Sequence, residues 1–566
     1  MVIPQRRFTC VSEKRLLIVF WAVAALVGLL QSLAERFYIE PDGINYLDVA
    51  YAYLRHDFSN AFNAYWSPLY SWLIALLFAV THSPAQWEST ALHALNFFIY
   101  LLSLCCFAFF FRELTLLIGE ERATSGKKPF PRPAWSLFGY MLFAYAALEL
   151  IGVGTNTPDM LVASVYFLAT GLLVRMGRGD IGWRVYLTLG AVLALGYLAK
   201  AAMFPLSFVF LFSSGFAARN WKKTVPRAAS ALAFFLLIAS PWLLTLSETK
   251  GRFTFGEAGR LSYAYYVNGL ASVSHWHGEI PGTGTPLHGT RRLSERPPVE
   301  EFATPIAGTY PPWYDSSYWD EGVRPHFEWD GQLRMLSANL GQYFRLLSAQ
   351  KGMAVGLLVL VLLCGWEAYG RAFISLWPFW VPAVATLGLY ALVLVETRYV
   401  GGAIVVLWCT LFAATRLARS KPPLRVWTFC LVAVGVALGV TMAAQAARDL
   451  MAIVKGQTNV QWQVAQELGR HNMHKGDLVT VLGHSHEGDY WAHLAQVRIV
   501  AEVPTEGVPD YWDANAETRL RINKLLSQSG ARFLVSRIAP PPSQAADWEA
   551  LGPTGYYVLM LAKAEN

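Results

Sequence analysis

Residues 16–34 read LLIVFWAVAALVGLLQSLA, and residues 40–48, just beyond, read EPDGINYLD. The first stretch is uncharged and close to the roughly 20 apolar residues that cross a bilayer core. The second sets Glu40, Asp42 and Asp48 a short distance past its end. A membrane crossing that opens onto carboxylates directs the reading of the rest of the chain. Across 566 residues, 54% are hydrophobic, 14% aromatic and only 15% charged. Soluble proteins of average composition carry about 25% charged residues. That excess of apolar surface has to face lipid, which excludes a cytosolic enzyme, a disordered scaffold and a disulfide-stapled secreted module. The net charge of +7 suggests nucleic acid less than it suggests charges confined between apolar runs. The fold class expected is a polytopic α-helical membrane protein.

Further runs follow at Ser89–Phe111, Trp135–Gly152, Met160–Val174, Val185–Ala199, Ala201–Ala218, Ala228–Leu246, Met353–Trp366, Phe373–Val395, Val400–Ala414 and Val426–Ala446. About eleven transmembrane helices are therefore expected. Leu69–Val80 is too short to span and reads as an interfacial helix. Alternate connections are basic: Arg6, Arg7, Lys14 and Arg15; Arg112 to Arg132, with Lys127 and Lys128; Arg175, Arg178 and Arg184; Arg219 to Arg227; Arg371; and Arg416 to Arg425. Val153–Pro158, on the other side, has no Lys or Arg. By the positive-inside rule the N-terminus is cytoplasmic and the C-terminus periplasmic or otherwise extracytoplasmic. Reading Ser32-Leu33-Ala34 as a cleavage site would remove the first crossing from that pattern.

This register divides the chain into a membrane module, 1–448, and an extracytoplasmic tail, 449–566. The module carries a first external loop, 35–88, and a long external loop, 247–351. The external segments lack cysteine, so no disulfide framework is available to them. The long loop is dense in aromatic residues, as in Thr309-Tyr310-Pro311-Pro312-Trp313-Tyr314. It reads as an ordered lid on the membrane surface, with headgroup anchoring by its rings as the alternative. The tail reads as a small α/β domain with strands Leu478–Leu482, Val497–Val503, Phe533–Ser536 and Tyr556–Leu561 and helices Gln461–Asn472 and Asn515–Ser529. Gly483-His484-Ser485-His486-Glu487-Gly488 reads as a strand-to-helix turn, with a ligand loop as the alternative.

Two acidic sites stand at the outer ends of spans. If Tyr46–Leu54 is helical, Asp42 lies at its start, where unpaired backbone N–H groups favour a carboxylate. In Thr155-Asn156-Thr157-Pro158-Asp159, Pro158 suits a first helical turn and sets Asp159 at the outer end of the fourth span. Either alone is an ordinary cap. Two on one side of the membrane point to function. His275-Trp276-His277-Gly278-Glu279 supplies zinc-type donors, so Asp159, His275 and His277 are the metal candidates.

This layout resembles the GT-C superfamily of polyprenyl-phosphate-sugar-dependent glycosyltransferases, particularly the protein O-mannosyltransferases and the lipid A aminoarabinose transferases. The resemblance is carried, in order, by Pro41-Asp42 with Tyr46, by Tyr65-Trp66-Ser67-Pro68-Leu69-Tyr70-Ser71-Trp72, by Pro158-Asp159, by Leu198-Ala199-Lys200 and by Glu396-Thr397-Arg398-Tyr399. It covers roughly the first 400 residues. Two positions depart from the family pattern: Gly43 replaces the second acid of the first-loop pair, and Ser67 replaces a frequent Lys.

The resemblance implies transfer of a sugar from a polyprenyl-phosphate donor to an acceptor hydroxyl on protein, lipid or glycan, with inversion, at the outer face of a bacterial inner membrane. Asp42 would be the general base and Asp159 would orient the acceptor or hold a divalent metal. Lys200 and Arg398 would neutralise the phosphate, and Tyr46, Trp66 and Tyr399 would line the substrate site. Membrane lipid is a partner and nucleic acid is not. The rivals are a lipid or sugar transporter or flippase, which calls for midplane ionisable residues and broken helices in matching halves, and a non-enzymatic scaffold.

Overall fold

The computed structural model describes residues 6–124, 131–218, 220–272, 275–305, 307–483 and 488–562. Lys127, Lys128, Arg219 and the His484–Glu487 part of the tail turn lie outside the described residues. Among the described residues, seven helices are long and apolar enough to cross a membrane: Arg15–Ala34, Ala85–Glu120, Arg132–Ile151, Asp159–Gly177, Trp221–Thr249, Thr397–Leu417 and Leu424–Val454. Two bent pairs, Trp329–Ala349 with Lys351–Cys364 and Trp366–Ser375 with Trp377–Ala391, raise the number to nine if each pair is one span. The remaining candidates, Trp183–Ala199 and Met203–Phe216, are apolar but short. Fourteen residues of α-helix rise only about 21 Å, against a hydrocarbon core of about 30 Å. The expected eleven is reached only by counting both.

The bundle is held by aromatic packing. Phe107 lies 4.9 Å from Phe143 and Phe138 lies 4.6 Å from Phe412, ring centre to ring centre. These pairs join the Ala85, Arg132 and Thr397 helices. Where backbones meet, small residues are required: a Cβ at Gly190 would stand 2.4 Å from the Ala231 carbonyl oxygen. The outward side chains, Ile18, Leu26, Phe98, Leu237, Phe429 and Val440 among them, are exposed and apolar, as a lipid-facing surface demands.

On one side of the bundle, the largely buried Pro41–Leu54 helix packs on one face of Pro68–Thr81, fixed by the Ser71 hydroxyl donating to the Tyr46 carbonyl at 3.0 Å. The tail and the long loop together form a mixed sheet of β1 (Arg291–Glu295), β2 (Pro298–Glu301), β3 (Leu478–Leu482), β4 (Arg498–Val503), β5 (Phe533–Ser536), β6 (Glu549–Ala550) and β7 (Tyr557–Met560). Its order is β1-β2-β4-β3-β5-β7-β6, with β3 parallel to β4 and β5 and the other pairs antiparallel. All four strands expected in the tail are present. The long loop also contributes to this sheet: its β1–β2 hairpin pairs with β4, with Glu300 opposite Glu502.

Tail and membrane module meet at a buried cluster. His493 Nδ1 lies 2.7 Å from Asp48 and its Nε2 lies 3.1 Å from Glu88. The Tyr51 and Tyr490 hydroxyls donate to Glu88 at 2.5 and 2.8 Å. The Thr309 backbone N–H donates to Asp48 at 2.6 Å, which anchors the long loop at the same point. Burial works against protonation of His493, but Glu88 and Asp48 overcome it and push its pKa up to about 10.

Candidate active site

Four chain segments deliver charged side chains to one place, each from a helix end. Pro41 opens the Pro41–Leu54 helix, with Asp42 in its first turn and Glu40 just before it. Asp159 begins the Asp159–Gly177 span. Lys200 follows the last residue of Trp183–Ala199 in extended conformation, and Arg398 lies in the first turn of Thr397–Leu417. Carboxylates at helix N-termini and an ammonium at a C-terminus sit favourably in the peptide dipoles. Arg398, a cation at an N-terminus, sits unfavourably and depends on its acidic neighbours.

Those neighbours surround it. Arg398 Nη2 donates to Asp42 at 3.1 Å, Nη1 donates to Glu40 at 3.3 Å, and Nε lies 3.8 Å from Asp159. Lys200 Nζ donates to the other Asp159 oxygen at 2.5 Å and stands 3.5 Å over the centre of the Tyr399 ring. The Thr157 hydroxyl also donates to Asp159, at 2.7 Å. Asp159 is therefore saturated, its side chain 1% exposed, whereas that of Asp42 is 22% exposed and holds one cation. Burial, reinforced by Asp42 and Asp159 and opposed by Arg398, raises the Glu40 pKa to about 7. Lys200 is pushed below the usual lysine range by burial and by Arg398, against the pull of Asp159.

The departure at Gly43 has a steric reason. A Cβ there would lie 2.7 Å from the Cβ of Asn156. Asn156 is fully buried: its backbone N–H donates to Glu40 at 2.8 Å, and its side chain donates to the Tyr38 carbonyl at 3.1 Å. The two acidic motifs are locked together through this residue, which leaves no room for a side chain at position 43.

Tyr46 and Trp66 form a buried aromatic wall, ring centres 5.1 Å apart, with Tyr70 5.2 Å from Tyr46. The Trp66 indole donates to the Tyr314 carbonyl at 3.1 Å, so the long loop rests on this wall. Asp159, Arg398 and Tyr399 also line a narrow cleft that continues between Val162, Tyr166, Met203 and Tyr390.

The metal candidates do not converge. His275 Nε2 is 2.8 Å from Glu502 and His277 Nε2 is 3.0 Å from Glu300, both at the sheet. Among the described residues no group of three or more His, Cys, Asp or Glu side chains is arranged to hold a metal ion. Around Asp159 and Asp42, the place a cation would take is filled by Lys200 and Arg398. The donor set does not fit a metal.

Of the residues expected from sequence, Asp42, Asp159, Lys200, Arg398 and Tyr399 gather at one point, and Tyr46 and Trp66 make the neighbouring wall. Glu40 and Thr157 join the site in addition to the residues expected from sequence. The signal for Glu40 was its position one proline away from Asp42. The Asp48–His493–Glu88 cluster left no comparable trace.

No family model matches the chain, and no curated protein matches it by sequence. Among solved structures, the Archaeoglobus fulgidus oligosaccharyltransferase in complex with Zn and sulfate aligns with a TM-score of 0.50 at 13% identity, over 91% of this chain and 67% of that one. The same archaeal enzyme, AglB, in complex with an inhibitory peptide and a dolichol-phosphate, aligns with a TM-score of 0.42 at 12% identity, over 92% and 69%. ArnT from Cupriavidus metallidurans bound to undecaprenyl phosphate aligns with a TM-score of 0.41 at 14% identity, over 97% and 99%. At these identities the likeness is one of fold alone: the chain shares the overall architecture of the archaeal oligosaccharyltransferase structure with which it aligns at a TM-score of 0.50.

Proposed function

We propose that this protein is an integral-membrane glycosyltransferase that moves a sugar from a polyprenyl-phosphate donor to an acceptor hydroxyl, inverting the anomeric centre. The observation that carries this reading is Arg398 bridging Asp42 and Asp159, with Lys200 on the far side of Asp159. A glycosyl-phosphate bond already stores the energy of transfer, so the protein has to supply only a base and a place for the leaving phosphate. Two cations side by side in a partly buried site suit a phosphate ester.

In this mechanism the donor phosphate takes over donors of Arg398 and Lys200, which frees Asp42. Asp42, the more accessible carboxylate, accepts the acceptor hydroxyl proton as the new C–O bond forms at the anomeric carbon. The bond from that carbon to the phosphate oxygen breaks, and its electron pair leaves with the lipid phosphate, held by the two cations. Asp159, with both oxygens occupied, positions Lys200 and Arg398 rather than touching the acceptor. Tyr399 shields Lys200, and Tyr46 and Trp66 support the long loop as a lid.

The reading includes a membrane module 1–448 and an extracytoplasmic domain 449–566. It sets the site at the outer face of a bacterial inner membrane, with the N-terminus cytoplasmic. Its support is the alternation of basic connections along the chain. The test compares envelope lipids and glycans by mass spectrometry from cells with the gene, without it, and with Asp42→Asn. Loss of one glycosylated species in both altered strains, with normal membrane insertion of the variant, is the expected result. An unchanged glycan and lipid profile would end the proposal.

A further inference from the structure

The Trp329–Ala349 helix meets Lys351–Cys364 at a bend of 76°. With Lys351–Cys364 along the bilayer normal, the preceding helix lies nearly in the membrane plane. Its side chains divide into three faces. Gln332, Asn339, Tyr343 and Leu346 turn inward. Their polar groups secure the end of the helix Trp377–Ala391: Tyr343 donates to the Leu387 carbonyl at 2.7 Å, Asn339 to that of Ala391 at 3.0 Å, and Gln332 to that of Leu392 at 2.8 Å. Asn339 also accepts from the Val395 N–H at 3.1 Å, three residues before Arg398.

The second face is apolar and points away from the protein. Trp329, Leu333, Leu340, Phe344 and Leu347 recur at intervals of four, seven, four and three, and all are exposed, Trp329 by 69% and Phe344 by 72%. A helix on a water-soluble surface has the reverse polarity. This stripe runs on into Val355, Leu358 and Leu362 of the adjoining span, which are likewise exposed. The third face carries Asp330, Arg334, Ser337 and Arg345, all exposed, about 100° round the axis from the stripe at 100° per residue. Apolar residues to one side and arginines at right angles to them describe a helix at the boundary between acyl chains and headgroups.

We propose that Trp329–Ala349 is an in-plane membrane helix, seated in the leaflet on the side of Asp42 and Asp159, with lipid acyl chains covering the Trp329–Leu347 stripe. Continuity with the lipid-facing surface of Lys351–Cys364 identifies this occupant. Through Asn339 and Gln332 the seated helix holds the 392–395 turn that leads into Arg398. The seating is independent of the transferase reading.

The test uses the full-length protein in nanodiscs of phosphatidylcholine and phosphatidylglycerol. A click-reactive amino acid is placed singly at positions 333, 340, 344, 337 and 345, and each is spin-labelled. The ratio of collision with oxygen, which partitions into lipid, to collision with a water-soluble nickel chelate is then read. The ratio is expected to be about threefold or more higher at 333, 340 and 344 than at 337 and 345. Equal ratios at all five positions would overturn the proposal. So would exclusion of both probes at 340 and 344, which would show a second copy or another protein covering the stripe.

Discussion

The Pro41–Leu54 helix carries two acid–cation clusters on different faces, and they are built to opposite specifications. Asp42 and Asp48 are six residues apart, about 240° round the helix. Around Asp42, one arginine is shared among three carboxylates, the side chains of Arg398, Glu40 and Asp42 are partly exposed although that of Asp159 is buried, and donors can be reassigned to an incoming ligand. Around Asp48, a single histidine is enclosed between two carboxylates, and tyrosine hydroxyls and a backbone N–H complete the network. Both use the same chemistry. Accessibility and spare coordination suit the first to transfer, and saturation suits the second to holding the tail and the long loop on the membrane module.

Substitutions that remove a charge from each cluster test this contrast. The largest effect is expected from Asp42→Asn: loss of about 10²–10⁴ in kcat, the scale of removing a general base, with the melting temperature unchanged. Next is His493→Ala, which strands two buried carboxylates and should cost about 3–5 kcal/mol of stability by denaturant titration. The folded His493 pKa lies above its ordinary value of 6.5, so its contribution is complete below that pH and is lost as pH rises through about 10. The alkaline unfolding midpoint should shift when His493 is replaced, and a variant with an unchanged profile would break the comparison. Lys200→Met should lower kcat about 10²-fold and also cost stability, because it takes one charge partner from the buried Asp159. Gly43→Ala should destabilise by about 1–3 kcal/mol through contact with Asn156. The smallest effect is Glu40→Gln. Ionisation of Glu40 near pH 7 strengthens its hold on Arg398, so activity should fall modestly as pH rises through 7, and the variant should flatten that limb of the pH–rate profile.

Much of the architecture is legible because hydrocarbon imposes harsh rules on sequence. Apolar runs mark the helices, and charges are tolerated mainly at their ends, which is where Asp159, Lys200 and Arg398 lie. The tail strands announce themselves through runs such as Leu478–Leu482 and Phe533–Ser536. The bend after Ala349 does not, because the bonds that fix the helix before it run from Gln332, Asn339 and Tyr343 to residues 387–392; the bend after Ser375 has a local mark, Pro378 in the first turn of the next helix. The β1–β2 hairpin is hidden for another reason: Arg291-Arg292-Leu293-Ser294-Glu295 has no apolar alternation, and Glu300 is buried by pairing with Arg292 at 2.6 Å and with His277. Nor could His493 be read as a partner of Asp48, since 445 residues separate them. At Gly43 the sequence shows only a missing acid, whereas the structure shows why a glycine stands there: a second motif lies too near for a side chain.

The hairpin lent by the long loop has a practical consequence for dissecting the protein. A fragment cut at residue 449 would lose β2 and leave the flank of β4 from Ala501 to Glu502 as a bare edge strand. Unpaired strand flanks invite pairing with other chains, so the isolated appendage is expected to self-associate in solution. A fusion carrying residues 291–301 ahead of the fragment would restore the missing neighbour.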